Sequence, residues 1–233
     1  MKRFATVLIV AGLAGSAFAA EELPVVFQED FEKDGALEKW QPMDPSAWKI
    51  ATQDGNRVLS MFKDSRYGPP VRSPRNFALI KNLCLGDFVL DLKMQSTTKD
   101  YGHRDLCLFF GYQDPSHFYY VHMALRADPH AHSVFIVNGK PRVSLIPLPG
   151  REKDKDVFRT KGIVWGDAWH HVRLVRRVSD GLIEVYFDDM TRPIMRARDK
   201  TFTWGRVGVG SFDDTGNYDE IVIRGTKVEP PKK

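Results

Sequence analysis

The residues best suited to chemistry lie in two adjoining runs. In His117-Phe118-Tyr119-Tyr120-Val121-His122-Met123-Ala124-Leu125, a strand would turn Tyr119, Val121, Met123 and Leu125 one way and Phe118, Tyr120, His122 and Ala124 the other. The first set is ordinary core. The second sets aromatic rings beside an imidazole. Such a surface suits sugars, whose flat C–H faces are ringed by hydroxyls, or else it packs beneath a neighbouring loop. Arg126-Ala127-Asp128-Pro129-His130-Ala131-His132 follows directly and, if extended, places Asp128, His130 and His132 on one side. Histidine titrates near neutrality and a carboxylate can orient it, so His122, Asp128, His130 and His132 form a candidate catalytic acid–base group. His-x-His is also a fragment of a zinc site, but no clear third ligand accompanies it. A solvated turn is the plain alternative for this second run.

Two loop segments supply candidate substrate contacts. Arg72-Ser73-Pro74-Arg75 offers two guanidinium groups, whose planar donors match a carboxylate or sulfate on an acidic glycan. Lys99-Asp100-Tyr101-Gly102-His103-Arg104-Asp105 falls between two strand-like runs, so His103 and Arg104 are expected at one end of the fold. With Phe118 and Tyr120, the candidate substrate-binding set is Arg72, Arg75, His103, Arg104, Phe118 and Tyr120. Exposed arginines in loops also serve simply to keep a surface solvated. No G-x-S-x-G, phosphate loop or C-x-x-C occurs.

These groups must be positioned by strands. Phe88, Leu90, Leu92 and Met94 alternate with Asp91, Lys93 and Gln95, which describes a strand with one face in a core and one in water. Val172 and Leu174 alternate with His171, Arg173 and Arg177. Asp180-Gly181 then makes a turn into Ile183, Val185 and Phe187. Short strands, frequent turn residues and no amphipathic helix longer than a turn or two predict an all-β, two-sheet antiparallel sandwich. Residues 142–162 contain Pro147, Pro149, Gly150 and a charge run, and read as a long exposed loop.

The N-terminus combines Lys2 and Arg3, a short apolar run and an Ala17-x-Ala19 end, as a cleavable export leader over residues 1–20 does. Residues 21–228 then form one domain and residues 229–233 a polar tail, in a protein expected to be secreted or periplasmic with no membrane span once processed. The net charge is +4, of which Lys2 and Arg3 supply two units. The remaining basic residues are interspersed with acids, which argues against a nucleic-acid partner. Cys84 and Cys107 both sit in apolar runs, where a disulfide and two buried thiols are each open.

The run Trp169-His170-His171-Val172-Arg173-Leu174, with Gly181-Leu182-Ile183-Glu184-Val185-Tyr186-Phe187-Asp188-Asp189, resembles a concanavalin A-like lectin/glucanase domain of the kind that includes laminin-G-like modules. Gly205-Arg206-Val207-Gly208-Val209-Gly210-Ser211-Phe212-Asp213-Asp214 and Tyr218-Asp219-Glu220-Ile221-Val222-Ile223 fit its closing strands, and Glu29-Asp30-Phe31-Glu32 its first. Within that superfamily the chain looks most like secreted bacterial 3-keto-disaccharide hydrolase-like domains. The resemblance implies a jelly roll interacting with a glycan on its concave face. It also implies a structural calcium ion where the first and last strands meet, held by Glu29, Asp30 and Asp219 with help from Asp213 or Asp214. Calcium needs six to eight oxygens, so these acids only suggest it. The E-x-D-x-x-E pattern of the glucanase members is absent. Glu184 and Asp188 share a strand face but stand ~13 Å apart, beyond the ~5–9.5 Å used by two-carboxylate glycosidases. Three readings stay open: a glycan-binding domain, a hydrolase or lyase acting on keto-sugars through the His/Asp group, and a laminin-G-like protein-interaction module.

Overall fold

Period-two sorting of side chains is what organises the folded chain. A computed structural model describes residues 23–231. The export leader expected over residues 1–20 and the Lys232-Lys233 end lie outside the described residues. Fifteen strands run in chain order: β1 (Val25–Glu29), β2 (Trp40–Pro42), β3 (Trp48–Gln53), β4 (Asn56–Met61), β5 (Asn76–Ser96), β6 (Asp105–Asp114), β7 (His117–Ala124), β8 (Ser133–Asn138), β9 (Val143–Ser144), β10 (Phe158–Arg159), β11 (His170–Arg177), β12 (Leu182–Phe187), β13 (Met195–Arg198), β14 (Gly205–Ser211) and β15 (Gly216–Lys227). Every pairing is antiparallel. The only helical pieces described are the single 3-10 turns Ala36–Lys39 and Pro45–Ala47. No helix among the described residues is long and apolar enough to cross a membrane.

The long strand β5 belongs to both layers. Its C-terminal half pairs with β11 and β15, and its N-terminal half with β14 and β2. Between the halves, residues 80–83 bulge out of the β14 ladder, where Cys84 opposes Arg206 and Leu79 opposes Gly208. Asn82 takes φ 55 there, a left-handed conformation that asparagine tolerates better than most residues. The sheet can therefore fold over. One layer runs β10-β13-β12-β11-β5-β15 and the other β5-β14-β6-β7-β8-β9.

Leu90, Leu92, Met94, Val172, Leu174, Ile183 and Val185 from the first layer meet Leu106, Leu108, Phe110, Tyr119, Val121 and Met123 from the second in one core. The faces predicted for β5, β7, β11 and β12 are the faces observed. Close packing of β14 on β5 requires glycine: a Cβ on Gly210 would lie 2.3 Å from the Asn76 carbonyl oxygen.

A second cluster lies on the far side of the second layer. Phe77, Leu79, Cys107, Phe109, Tyr112, Phe118, Tyr120, Phe135 and Val137 pack together, with Met43, Tyr67 and Val71 laid over them. Tyr67 and Val71 come from the segment 62–75, which is pinned by the Asn76 side chain donating to the Lys63 carbonyl. Phe118 and Tyr120 therefore do not form an open sugar platform; both are fully buried. Sealing a large apolar side chain contributes about 1.5–3 kcal/mol, which an open platform would give up.

Residues 142–162 are likewise less exposed than their composition suggests. Ile146 enters the core, and the Arg159 guanidinium donates to the carbonyls of Pro147, Asp128, Ala131 and His132. Cys84 and Cys107 are both free thiols.

Candidate functional site

The ends of β6 and β7 build a small cavity. Along β6, Asp105, Cys107 and Phe109 share the outward face, and Cys107 lies directly opposite His122 of β7. A cavity of about 180 Å³ opens here, lined by Arg72, Tyr101, His103, Asp105, His122, His130, Arg142, Phe212 and Asp213. Asp105 and His122 form its buried floor at 1% and 3% exposure, while Arg72, Tyr101, His103, His130 and Asp213 stand at an exposed rim.

Asp105 is held from several sides. Its Oδ1 accepts from the Ser211 hydroxyl at 2.9 Å, the Phe212 amide at 3.0 Å and the Cys107 thiol at 3.3 Å. Its Oδ2 stands 3.1 Å from His122 Nε2. Burial by itself raises the Asp105 carboxyl, but the adjacent His122 and these hydrogen bonds hold it below the ordinary carboxylate value. Burial, together with the Asp105 charge, pushes the Cys107 thiol well up. The neighbouring Asp214 accepts from Tyr101 Oη and the Asp105 amide, and burial followed by the Asp105 charge raises it to about 6.

His122 Nδ1 donates to the His130 carbonyl at 3.1 Å, which fixes a proton on that nitrogen. Its Nε2 stands in ion-pair contact with Asp105 and makes no hydrogen bond. Arg142 Nε and Tyr120 Oη are also buried without partners. The three groups are neighbours. Phe135 stacks on Tyr120 at 5.1 Å, lies 6.1 Å from His122, and has the Arg142 guanidinium over its ring at 5.7 Å.

Of the residues expected from the sequence, His122, His130, Arg72 and His103 converge on this cavity. The others do not line it. Asp128 sits beside the rim, paired with His103 and accepting from the His130 amide. His132, at φ 51, turns away from His130 and is fully buried. Its Nδ1 accepts from the Ala124 amide and its Nε2 donates to Thr160, so no two-histidine metal pair forms. Burial, with the charges of His122 and Arg159, lowers His132 to about 3 and keeps it neutral.

Arg104 is structural. Its buried guanidinium binds Ser96, Asp100 and the Gly166 carbonyl. Arg75 is held by Asp64 in a two-pronged ion pair, 4.0 Å from Asp213. Residues that sequence reading did not place in the site are Asp105, Arg142 and Phe212, with Tyr101 and Asp213. Asp105-x-Cys107 was visible as a period-two pair, but nothing local identified its partner strand.

The acids matched to calcium do not fit that ion. Glu29 is paired with Lys39 and also accepts from the Phe31 amide. Asp30 accepts from the Glu32 amide, and Asp219 from Asn56 and the Glu220 amide. An ammonium group already fills the position beside Glu29. Asp214 serves Tyr101 and Asp105 instead. Among the described residues, the one group of three metal-ligating side chains that converge is Asp105, Cys107 and His122.

Larger grooves exist, one of about 530 Å³ on the outer face of the first layer. Its central acid, Asp91, is already shared by Arg173 and His171. None of the buried unpartnered side-chain atoms belongs to its lining.

No protein-family model matches the chain, and no curated protein matches it either. Solved structures do resemble it. The carbohydrate-binding module CBM66 from Bacillus subtilis is 16% identical with a TM-score of 0.53, over 80% of this chain and 96% of that one. The metal-free Emp46p carbohydrate recognition domain is 12% identical with a TM-score of 0.53, over 84% of this chain and 94% of that one. A mutant of the GH43 protein BlXynB from Bacillus licheniformis is 12% identical with a TM-score of 0.57, over 85% of this chain but only 39% of that larger one. At such identities the likeness speaks for the fold. The two-layer antiparallel sandwich curled around β5 is the concanavalin A-like jelly roll.

Proposed function

We propose that this is an exported glycan-binding protein that takes one sugar residue, or the end of a glycan, into the cavity above Asp105 and His122. One observation carries the reading. Arg142 Nε and His122 Nε2 belong to cavity-lining side chains, are buried, and make no hydrogen bond, His122 having only the ion-pair contact to Asp105, with Tyr120 Oη a third such atom close by. Leaving a buried donor or acceptor unpaired costs about 1–3 kcal/mol, and a hydroxyl-rich ligand recovers that cost. The volume of about 180 Å³ is below the ~300–1,000 Å³ of pockets that enclose drug-sized ligands, which suits a single ring. Phe212, capped by Arg142 at 4.3 Å, adds an apolar wall. The sugar-binding domains among the structural neighbours support the same reading.

Turnover of a glycan or keto-sugar is the second reading, favoured by the buried Asp105–His122 contact. The proton-transfer pair would then be Asp105 with His122, in place of His122 with Asp128. A panel of polysaccharides and their oligosaccharides, scored for binding by calorimetry and for product by chromatography, tests both. Binding that Arg142→Ala weakens by about tenfold or more, without product, supports the first reading. Product formation abolished in His122→Gln supports the second. A wild-type protein that binds no glycan, or an Arg142→Ala variant with unchanged affinity, removes the cavity from the account.

A further inference from the structure

The floor of the cavity, together with Cys107 beside it, has the composition of a metal site rather than of a sugar contact alone. Asp105, Cys107 and His122 each present one ligand atom, and these atoms all lie within 4.8 Å of one another. Asp105 Oδ2 and His122 Nε2 are 3.1 Å apart, and Cys107 Sγ is 3.3 Å from Asp105 Oδ1. Ligand atoms bound to one tetrahedral zinc, each ~2.0–2.3 Å from it, are separated by roughly 3.3–3.8 Å. The separations of Asp105 from His122 and from Cys107 lie close to that range, each through one of its two carboxylate oxygens.

A second and independent observation points to an occupant. His122 is 3% exposed and its Nδ1–H is committed to the His130 carbonyl, so Nε2 is the nitrogen turned toward Asp105 Oδ2, and it has no hydrogen-bond partner there. Metal-binding histidines characteristically donate their other ring N–H to a carbonyl or carboxylate, as His122 does. Asp105 shows the same arrangement, because Ser211 and the Phe212 amide hold Oδ1 and leave Oδ2 toward the histidine. Both candidate ligands thus already have the outer hydrogen bonds that orient a coordinating group.

We infer that Asp105, Cys107 and His122 bind a zinc-like transition metal whose remaining coordination position opens into the cavity. The donor set selects the ion. One thiolate, one imidazole and one carboxylate suit zinc or its cobalt substitute, whereas calcium requires a shell of oxygens. On binding, the cation forms a bond to Cys107 Sγ and the thiol proton leaves to solvent. The neutral His122 ring and the Asp105 carboxylate donate their electron pairs unchanged. This site does not depend on the glycan reading, since the three ligands and their supports lie within the protein. If both hold, the cation is what a sugar oxygen meets at the cavity floor.

The test uses the folded chain freed of metal with a chelator, then titrated with Zn²⁺ and with Co²⁺. One equivalent is expected to bind, and cobalt is expected to show a thiolate charge-transfer band in the near-ultraviolet. Cys107→Ser should lose that band while Cys84→Ala keeps it, because Cys84 lies outside the cluster. Ser211→Ala removes the hydroxyl that donates to Asp105 and accepts from the Asp214 amide, without touching a ligand atom, and should weaken zinc binding by about 10–100-fold. Should Cys107→Ser not fold, the wild-type band and the weakened titration of Ser211→Ala carry the same decision. Absence of stoichiometric binding to the wild type, or a cobalt spectrum identical in Cys107→Ser, overturns the assignment.

Discussion

Replacing His132 by asparagine separates a structural histidine from a catalytic one, and the structure supplies the size of the effect. His132 is fully buried, accepts from the Ala124 amide and donates to Thr160, and is lowered from 6.5 to about 3. Burial is the main cause, because an imidazolium there would lose its water without gaining an acid partner. The folded protein thus binds this proton less tightly than the unfolded chain. Its neutral form contributes stability that is complete above about pH 6.5 and is lost as the pH falls toward the folded value. Each pH unit in that window is worth ~1.4 kcal/mol, so by about pH 4.5 the loss is on the order of 3 kcal/mol. For a domain of this size that corresponds to roughly 5–10 °C in melting temperature. Asparagine tolerates the positive φ of 51 at this position and its side-chain oxygen can accept from the Ala124 amide. His132→Asn should therefore be somewhat less stable at pH 7 and fall more gently with acid. The assay is chemical denaturation at several pH values, with the His132 ring followed by NMR. Parallel pH profiles for the two proteins, or a His132 ring that titrates near 6.5, would refute the reasoning.

Three further outcomes follow from contacts already described. Arg104→Met should destabilise the fold by about 3–5 kcal/mol in denaturant melts, because Asp100 and the acceptors on Ser96 and Gly166 lose their common donor. Its glycan affinity should nonetheless stay within twofold of wild type, and a larger change would return Arg104 to the binding site. Tyr120→Phe removes a buried hydroxyl that has no partner, so the melting midpoint should rise by an amount equivalent to about 1 kcal/mol; a fall would reveal a partner for that oxygen. Gly210→Ala should yield little folded protein on expression, since its Cβ would stand 2.3 Å from the Asn76 carbonyl oxygen and 2.5 Å from Phe77 Cβ.

Much of the fold was legible because side-chain alternation is a local property. Tyr119, Val121 and Met123 had to leave one face of β7 and Phe118, Tyr120 and His122 the other, whatever lay around them. The sequence by itself therefore determined which residues enter the main core, and it brought His122 and Arg72 into consideration for the site. It did not determine what covers the second face. Tyr67 and Val71, about fifty residues before Phe118 and Tyr120, pack on the cluster to which those two rings belong, an association that no short window records.

The partner of His122 was hidden for a more specific reason. Pairing back from Asp114 opposite His117 without interruption would set His122 against Phe109. The ladder slips between Phe110 and Asp114, where Gly111 adopts φ 57, and so delivers His122 to Cys107 beside Asp105. A slip of two residues keeps every side chain on its own face while changing its neighbour. Local periodicity is blind to such a change; only tertiary packing, which lays β14 and its Ser211-Phe212 end against Asp105, decided which groups share the cavity.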